Sequence, residues 1–131
     1  MTVRQSLSKD VIALVQREIE YLLEDLAGVT AAVVATVDGF DVASATTGSV
    51  DPARVAALAS SIAAISGVVS EEAHLGRNKS VMIQTESGFA VFHSVHRSDG
   101  ELVINVLARD DAILAQVAYR TAQLAKTLAN A

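Results

Sequence analysis

Three histidines, His74, His93 and His96, are the residues best suited to hold a metal ion. His93 and His96 fall three apart, in or beside an expected strand. Side chains alternate faces along a strand, so this pair diverges unless a bulge intervenes. The chain has no cysteine, which removes thiolate ligands, thiolate nucleophiles and disulfides together. His74 stands near the end of an expected helix, where partial positive charge suits the helix dipole. His93 shares a strand face with Phe89, Val91 and Val95 and reads as a residue at the core's edge. No metal site is expected.

The adjacent carboxylates Glu71-Glu72 and Asp110-Asp111 are the next candidates. Neighbouring residues on a helix or at its start point in different directions, so neither pair forms an acid–base couple across a cleft. Solvation and helix capping account for them. Gly76–Ser80, GRNKS, tests for a phosphate-binding loop. Such a loop needs glycine just before the lysine and another five residues earlier, between a strand and a helix. Here Asn78 precedes Lys79, Ala73 takes the earlier place, and the segment leads from a helix into a strand. No Gly-x-Ser-x-Gly elbow is present to activate a serine. No catalytic residue and no cofactor is therefore assigned, and the chain is not expected to be an enzyme.

The Asp38-Gly39 pair in TVDGFDVAS could be chemistry or architecture. Between two extended segments it is a strong signal for a tight hairpin. The elements around it follow from periodicity. Residues 1–8 are expected to be a flexible tail, and residues 9–131 a single domain. Ser8 can cap a first helix with Asp10 in its first turn. Val11, Leu14, Val15, Ile19, Leu22, Leu23 and Leu26 lie on one face of that helix, and Gly28 ends it. AAVVATV, Ala31–Val37, is apolar on both faces, as a central strand covered on both sides would be. DVASAT is a weaker second strand.

Asp51 followed by Pro52 marks a sharp helix start. That helix is expected to run to about Leu75 and stop at Gly76. Three strands follow, Ser80–Glu86, Phe89–Val95 and Glu101–Leu107, joined by turns at Ser87-Gly88 and Asp99-Gly100. Asp110 or Asp111 then opens a last helix with Ile113, Leu114, Val117, Thr121, Leu124, Ala125 and Leu128 inward. Hairpin-linked strands imply an antiparallel sheet and an α+β class.

Composition supports one compact domain. A chain of 131 residues that is 51% hydrophobic and 19% charged can bury a core without staples. Aromatic residues make up 4%, so that core must be aliphatic. A net charge of −5 does not favour binding to nucleic acid, which needs clustered cations. The N-terminus lacks an apolar signal core, and no uninterrupted apolar run reaches the roughly 18 residues of a membrane span. A cytoplasmic protein without membrane insertion is expected.

VVATVDGFDVAS, LGRNKSVMIQTESGFAVFHSV and LVINVLARDDAILAQVAYRTAQLAKTL, in this order, resemble the Roadblock/dynein light-chain domain family, especially its bacterial MglB-like branch. The resemblance covers almost the whole chain after the tail. It implies a five-stranded antiparallel sheet in the order helix-strand-strand-helix-strand-strand-strand-helix. The second helix would lie on one face and the first and third on the other. It also implies dimerisation through the third strands and second helices. Bacterial members are often encoded beside small Ras-like GTPases, which they activate or scaffold. At the start of the last helix many bacterial relatives carry Asn-Leu-Gly after an aspartate; Ile113-Leu114-Ala115 stands there in this chain.

The resemblance implies a homodimeric, non-catalytic regulator or scaffold of a small Ras-like GTPase. The alternative is a stand-alone sensor or signalling-assembly module. The second helix adds its own evidence. Val55, Leu58, Ala59, Ile62, Ile65, Ser66 and Val69 form the stripe expected on the sheet. The line Ala53, Ala57, Ser60, Ala64 and Gly67 is uncharged and small, and a helix apolar all round is usually buried on both sides. These residues, with Val81 and Ile83 on the third strand, are the expected dimer interface. Arg77 and Lys79 are candidate contacts for a partner.

Overall fold

A computed structural model describes residues 7–131. The elements are α1 (Lys9–Asp25), β1 (Val29–Thr36), β2 (Asp41–Thr46), α2 (Pro52–Glu72), β3 (Ser80–Gln84), β4 (Gly88–Val95), β5 (Leu102–Arg109) and α3 (Leu114–Ala129). The strands form one antiparallel sheet in the order β2-β1-β5-β4-β3. This is the α+β architecture expected from the hairpin signals. β1 and β5 occupy the interior of the sheet, which explains why Ala31 to Thr36 are buried on both faces.

Strand alternation divides the core into two layers. Leu102, Ile104 and Val106 of β5 point to the side of α1 and α3, where they meet Val15, Ile19, Leu22, Val117, Leu124 and Leu128. Val103, between them, points to α2 and packs with Ala59 and Phe92. The first layer is thick and aliphatic. The second is thin, because α2 approaches the sheet through alanines.

Local chemistry sets the ends of the elements. The Ser8 hydroxyl accepts the Val11 N–H at 3.1 Å, and Asp51 accepts the Ala53 N–H at 3.1 Å ahead of Pro52. Gly39 adopts φ +99° in the β1–β2 turn, a conformation that favours glycine, so the Asp38-Gly39 pair is architectural.

Four expectations need correction. Leu7, placed in the tail, is 6% exposed and packs into the core; the tail's residues 1–6 lie outside the described residues. The final helix starts at Leu114 after Ile113, without a side-chain cap, while Asp110 and Asp111 belong to the preceding turn. Ile113, expected inward, is 59% exposed. The second helix ends at Glu72, short of Gly76.

Candidate functional site

The face of α2 away from the sheet is the most unusual surface of the molecule. Among the residues of α2, Ala56 and Ala59 are fully buried. Ala63 and Ile62 join them against Phe92 and Val103. The Ser60 hydroxyl donates to the Val37 carbonyl at 2.7 Å and anchors the helix over the β1–β2 hairpin. One helical repeat away, large aliphatic side chains face outward. Leu58, Ile65, Val68 and Val69 are 56–65% exposed.

This reverses part of the sequence expectation. Val55, Ala59, Ile62 and Ser66 do turn at least partly inward, but Leu58, Ile65 and Val69 do not. The reason is steric. Phe92, Val103 and Val81 already fill the sheet's surface, so alanine and serine are the side chains that let the helix approach. The small-residue line therefore does not stand opposite the buried seam. It flanks that seam on the hairpin side, where Gly39 lies beside Ala57 and Ser60. Ser60 is half-buried, and Ala53, Ala57, Ala64 and Gly67 are exposed.

β3 continues the outward apolar surface. It forms one edge of the sheet, so one side of its backbone has no strand partner among the described residues. Val81 packs with the α2 layer, and strand alternation puts Ile83 on the same face. Ile83 is 40% exposed. The exposed stripe of α2 and this edge strand form a surface that sequence reasoning only half located. The available signal was the absence of charge all around α2 from Val55 to Ser70. By length and composition α2 is also apolar enough to cross a membrane, with 11% of its most apolar window buried. The buried alanines and the Ser60 hydrogen bond nevertheless tie it to the sheet.

The loop from α2 to β3 carries the polar part of the site. The Leu75 N–H bonds to the Ser70 carbonyl at 2.9 Å and the His74 N–H to the Glu71 carbonyl at 3.2 Å, a Schellman ending. His74 occupies its left-handed position at φ 56°, where glycine is usual. Arg77 and Lys79 are exposed and form no ion pair among the described residues. A cleft of 480 Å³ lies beneath this end of α2, lined by His74, Arg77, His96, Glu101 and Val103 among others. His96 and Glu101 are paired at 3.0 Å across its rim.

The strand histidines are engaged separately. His93 directs Nδ1 to the Ser94 carbonyl at 3.0 Å, whereas His96 turns to Glu101. Among the described residues no group of three or more His, Asp or Glu side chains is placed to hold a metal. The sequence profile of the Roadblock/LC7 domain matches residues 15–97.

The chain belongs to the Roadblock/LC7 domain family. Solved structures agree on the fold. A Roadblock/LC7 domain from Streptomyces avermitilis superposes with a TM-score of 0.77 at 21% identity, covering 86% of this chain and 92% of its own. The gliding protein MglB from Thermus thermophilus gives 0.83 at 15% identity, with 95% and 92% covered. An MglB in a tetrameric arrangement gives 0.84 at 16% identity, with 95% and 91% covered. At these identities the likeness is one of fold. Comparison with curated protein sequences yields no match. Within this Roadblock domain, the α2 face and the β3 edge are surfaces that the fold leaves open.

Proposed function

We propose that this Roadblock domain is a non-catalytic regulator or scaffold of a small Ras-like GTPase, and that it acts as a homodimer. The carrying observation is the outward stripe Leu58, Ile65, Val68 and Val69 on α2, together with the edge strand β3, whose Val81 packs into the α2 layer. Covering the exposed part of such a side chain contributes on the order of 1 kcal/mol. Four of them on each of two protomers contribute about 8 kcal/mol before the association cost of roughly 4–15 kcal/mol is met. Helix contact alone is therefore marginal. Pairing the two β3 edges as well satisfies backbone groups that otherwise remain open. The flanking residues Ala53, Ala57, Ser60, Ala64, Gly67, Val81 and Ile83 line the margins of that contact. The tetrameric MglB of the same fold supports self-association as a mode for this architecture.

The GTPase reading rests on the family resemblance and on the polar loop beside the dimer surface. Arg77 and Lys79 are free to meet switch loops that a γ-phosphate orders. Affinity should then depend on the nucleotide loaded. The deciding experiment measures binding of the Ras-like GTPase from the same organism, loaded with GDP or with a non-hydrolysable GTP analogue. A preference for one state, reduced by Arg77→Ala with Lys79→Ala, supports regulation. Equal binding in both states, or none, favours the stand-alone module.

A further inference from the structure

The opposite face of the sheet holds a second surface, separate from α2. There α1 packs on β1 and β2, and α3 packs on β4 and β5. β3 extends beyond them. Met82 stands directly opposite Val91 in the ladder, so it points to the α3 side with that core residue. It is 48% exposed. Beside the entry to β3, between the end of β4 and α3, runs a groove of 360 Å³. Its apolar walls come from Val95, Ala122, Ala125 and Ala129, and Lys79 and Lys126 stand at its rim with His93 and His96.

Charge distinguishes this groove. The protein carries a net charge of −5, yet among the described residues no carboxylate lines the groove and each ionisable side chain that does is basic. His96 is engaged with Glu101, but Lys79 and Lys126 form no ion pair among the described residues. The shape is equally selective. Alanines on α3 allow a neighbouring helix to approach to about 8 Å between axes. The stretch from Ala122 to Ala129 is about two helical turns, roughly 10 Å long. A helix laid beside α3 would cover the end of β4.

We propose that this groove receives an acidic amphipathic helix from a partner protein. Its apolar residues, at the i, i+3, i+4 and i+7 positions, would rest on Val95 and the α3 alanines. Its flanking Asp or Glu side chains would reach Lys79 and Lys126 and set orientation and on-rate. Lys79 also belongs to the loop assigned to the GTPase, so Lys126, on α3, is the residue that separates the two readings.

The test is an NMR titration of the isotopically labelled protein with a designed helix of roughly 16 residues, leucine on one face and glutamate on the others. Saturable shifts in β4 and along Ala122–Ala129 are expected. Lys126→Glu, which leaves the Arg77–Lys79 loop intact, should weaken binding about tenfold. Ala129→Glu, at an exposed position, should obstruct the groove without unfolding the protein. The matching lysine peptide and vesicles containing phosphatidylserine are the controls. The proposal is overturned if no saturable shift arises up to ~1 mM peptide, if the shifts map to α2, if the lysine peptide binds as well, or if vesicles alone occupy the groove.

Discussion

Arg97 and Asp99 meet through two parallel 2.8 Å hydrogen bonds, Nε to Oδ1 and Nη2 to Oδ2. The Arg97 Nη1 also donates to the carbonyls of Leu128 and Ala131. One side chain, 7% exposed, thus holds the β4–β5 turn and caps the end of α3. Hydrogen bonds to a charged group contribute about 1.5–3 kcal/mol. Arg97→Ala should therefore lower the unfolding free energy by about 2 kcal/mol in a denaturant titration. A loss under a few tenths would mean that α3 is held by its apolar face alone.

The same pair gives a pH signature. The hydrogen bond from Arg97, aided by its charge and opposed by desolvation, holds the Asp99 carboxyl below the ordinary aspartate range. A lowered folded-state value stabilises the protein above the unfolded value, and that stability is lost as the pH falls through the folded one. Between pH 5 and 2, around the ordinary aspartate value of about 3.9, wild type should lose more stability than Arg97→Ala. Parallel acid-unfolding curves would show that the pair does not titrate as described.

Gly88 tolerates no side chain. A Cβ there would lie 2.1 Å from the Ala108 carbonyl oxygen, a backbone atom held in the ladder. Gly88→Ala should destabilise the fold by about 3 kcal/mol, at the upper end of overpacking costs. Calorimetry of the purified variant is sufficient to check this.

On α2, Ile65→Arg should yield a folded monomer under sedimentation, because Ile65 is 65% exposed in the protomer. Ala64→Arg, on the flank, should weaken the dimer less. A wild type that sediments as a monomer would assign this face to a different partner.

The loop Gly76–Ser80 enters a strand, so it lacks the helix N-terminus that a nucleotide's phosphates require. Calorimetric titration of the protein with GTP and magnesium should release no binding heat. Micromolar affinity would reveal a nucleotide site elsewhere.

Much of this fold was legible in local chemistry. Ser8, Asp51-Pro52 and Gly39 act on atoms a few residues away, so their types and spacing determine the first helix, the start of the second and the first hairpin. The alternation of β4 and β5 and the apolar face of α1 are likewise local patterns. The face of α2 was not legible, because apolar and small residues surround that helix and give no direction. The tertiary structure decided it: Phe92, Val103 and Val81 crowd the sheet, so Ala56 and Ala59 turn inward and Leu58 and Ile65 are left outside. The end of α2 at Glu72, with His74 in the left-handed position after it, was equally hidden, since Gly76 offered the more usual stop. Arg97 carried no local signal, because the carbonyls it binds, Leu128 and Ala131, lie in the last helix and beyond it. Periodicity and caps report on neighbours in the chain, whereas steric room and long-range hydrogen bonds exist once the sheet has brought distant segments together.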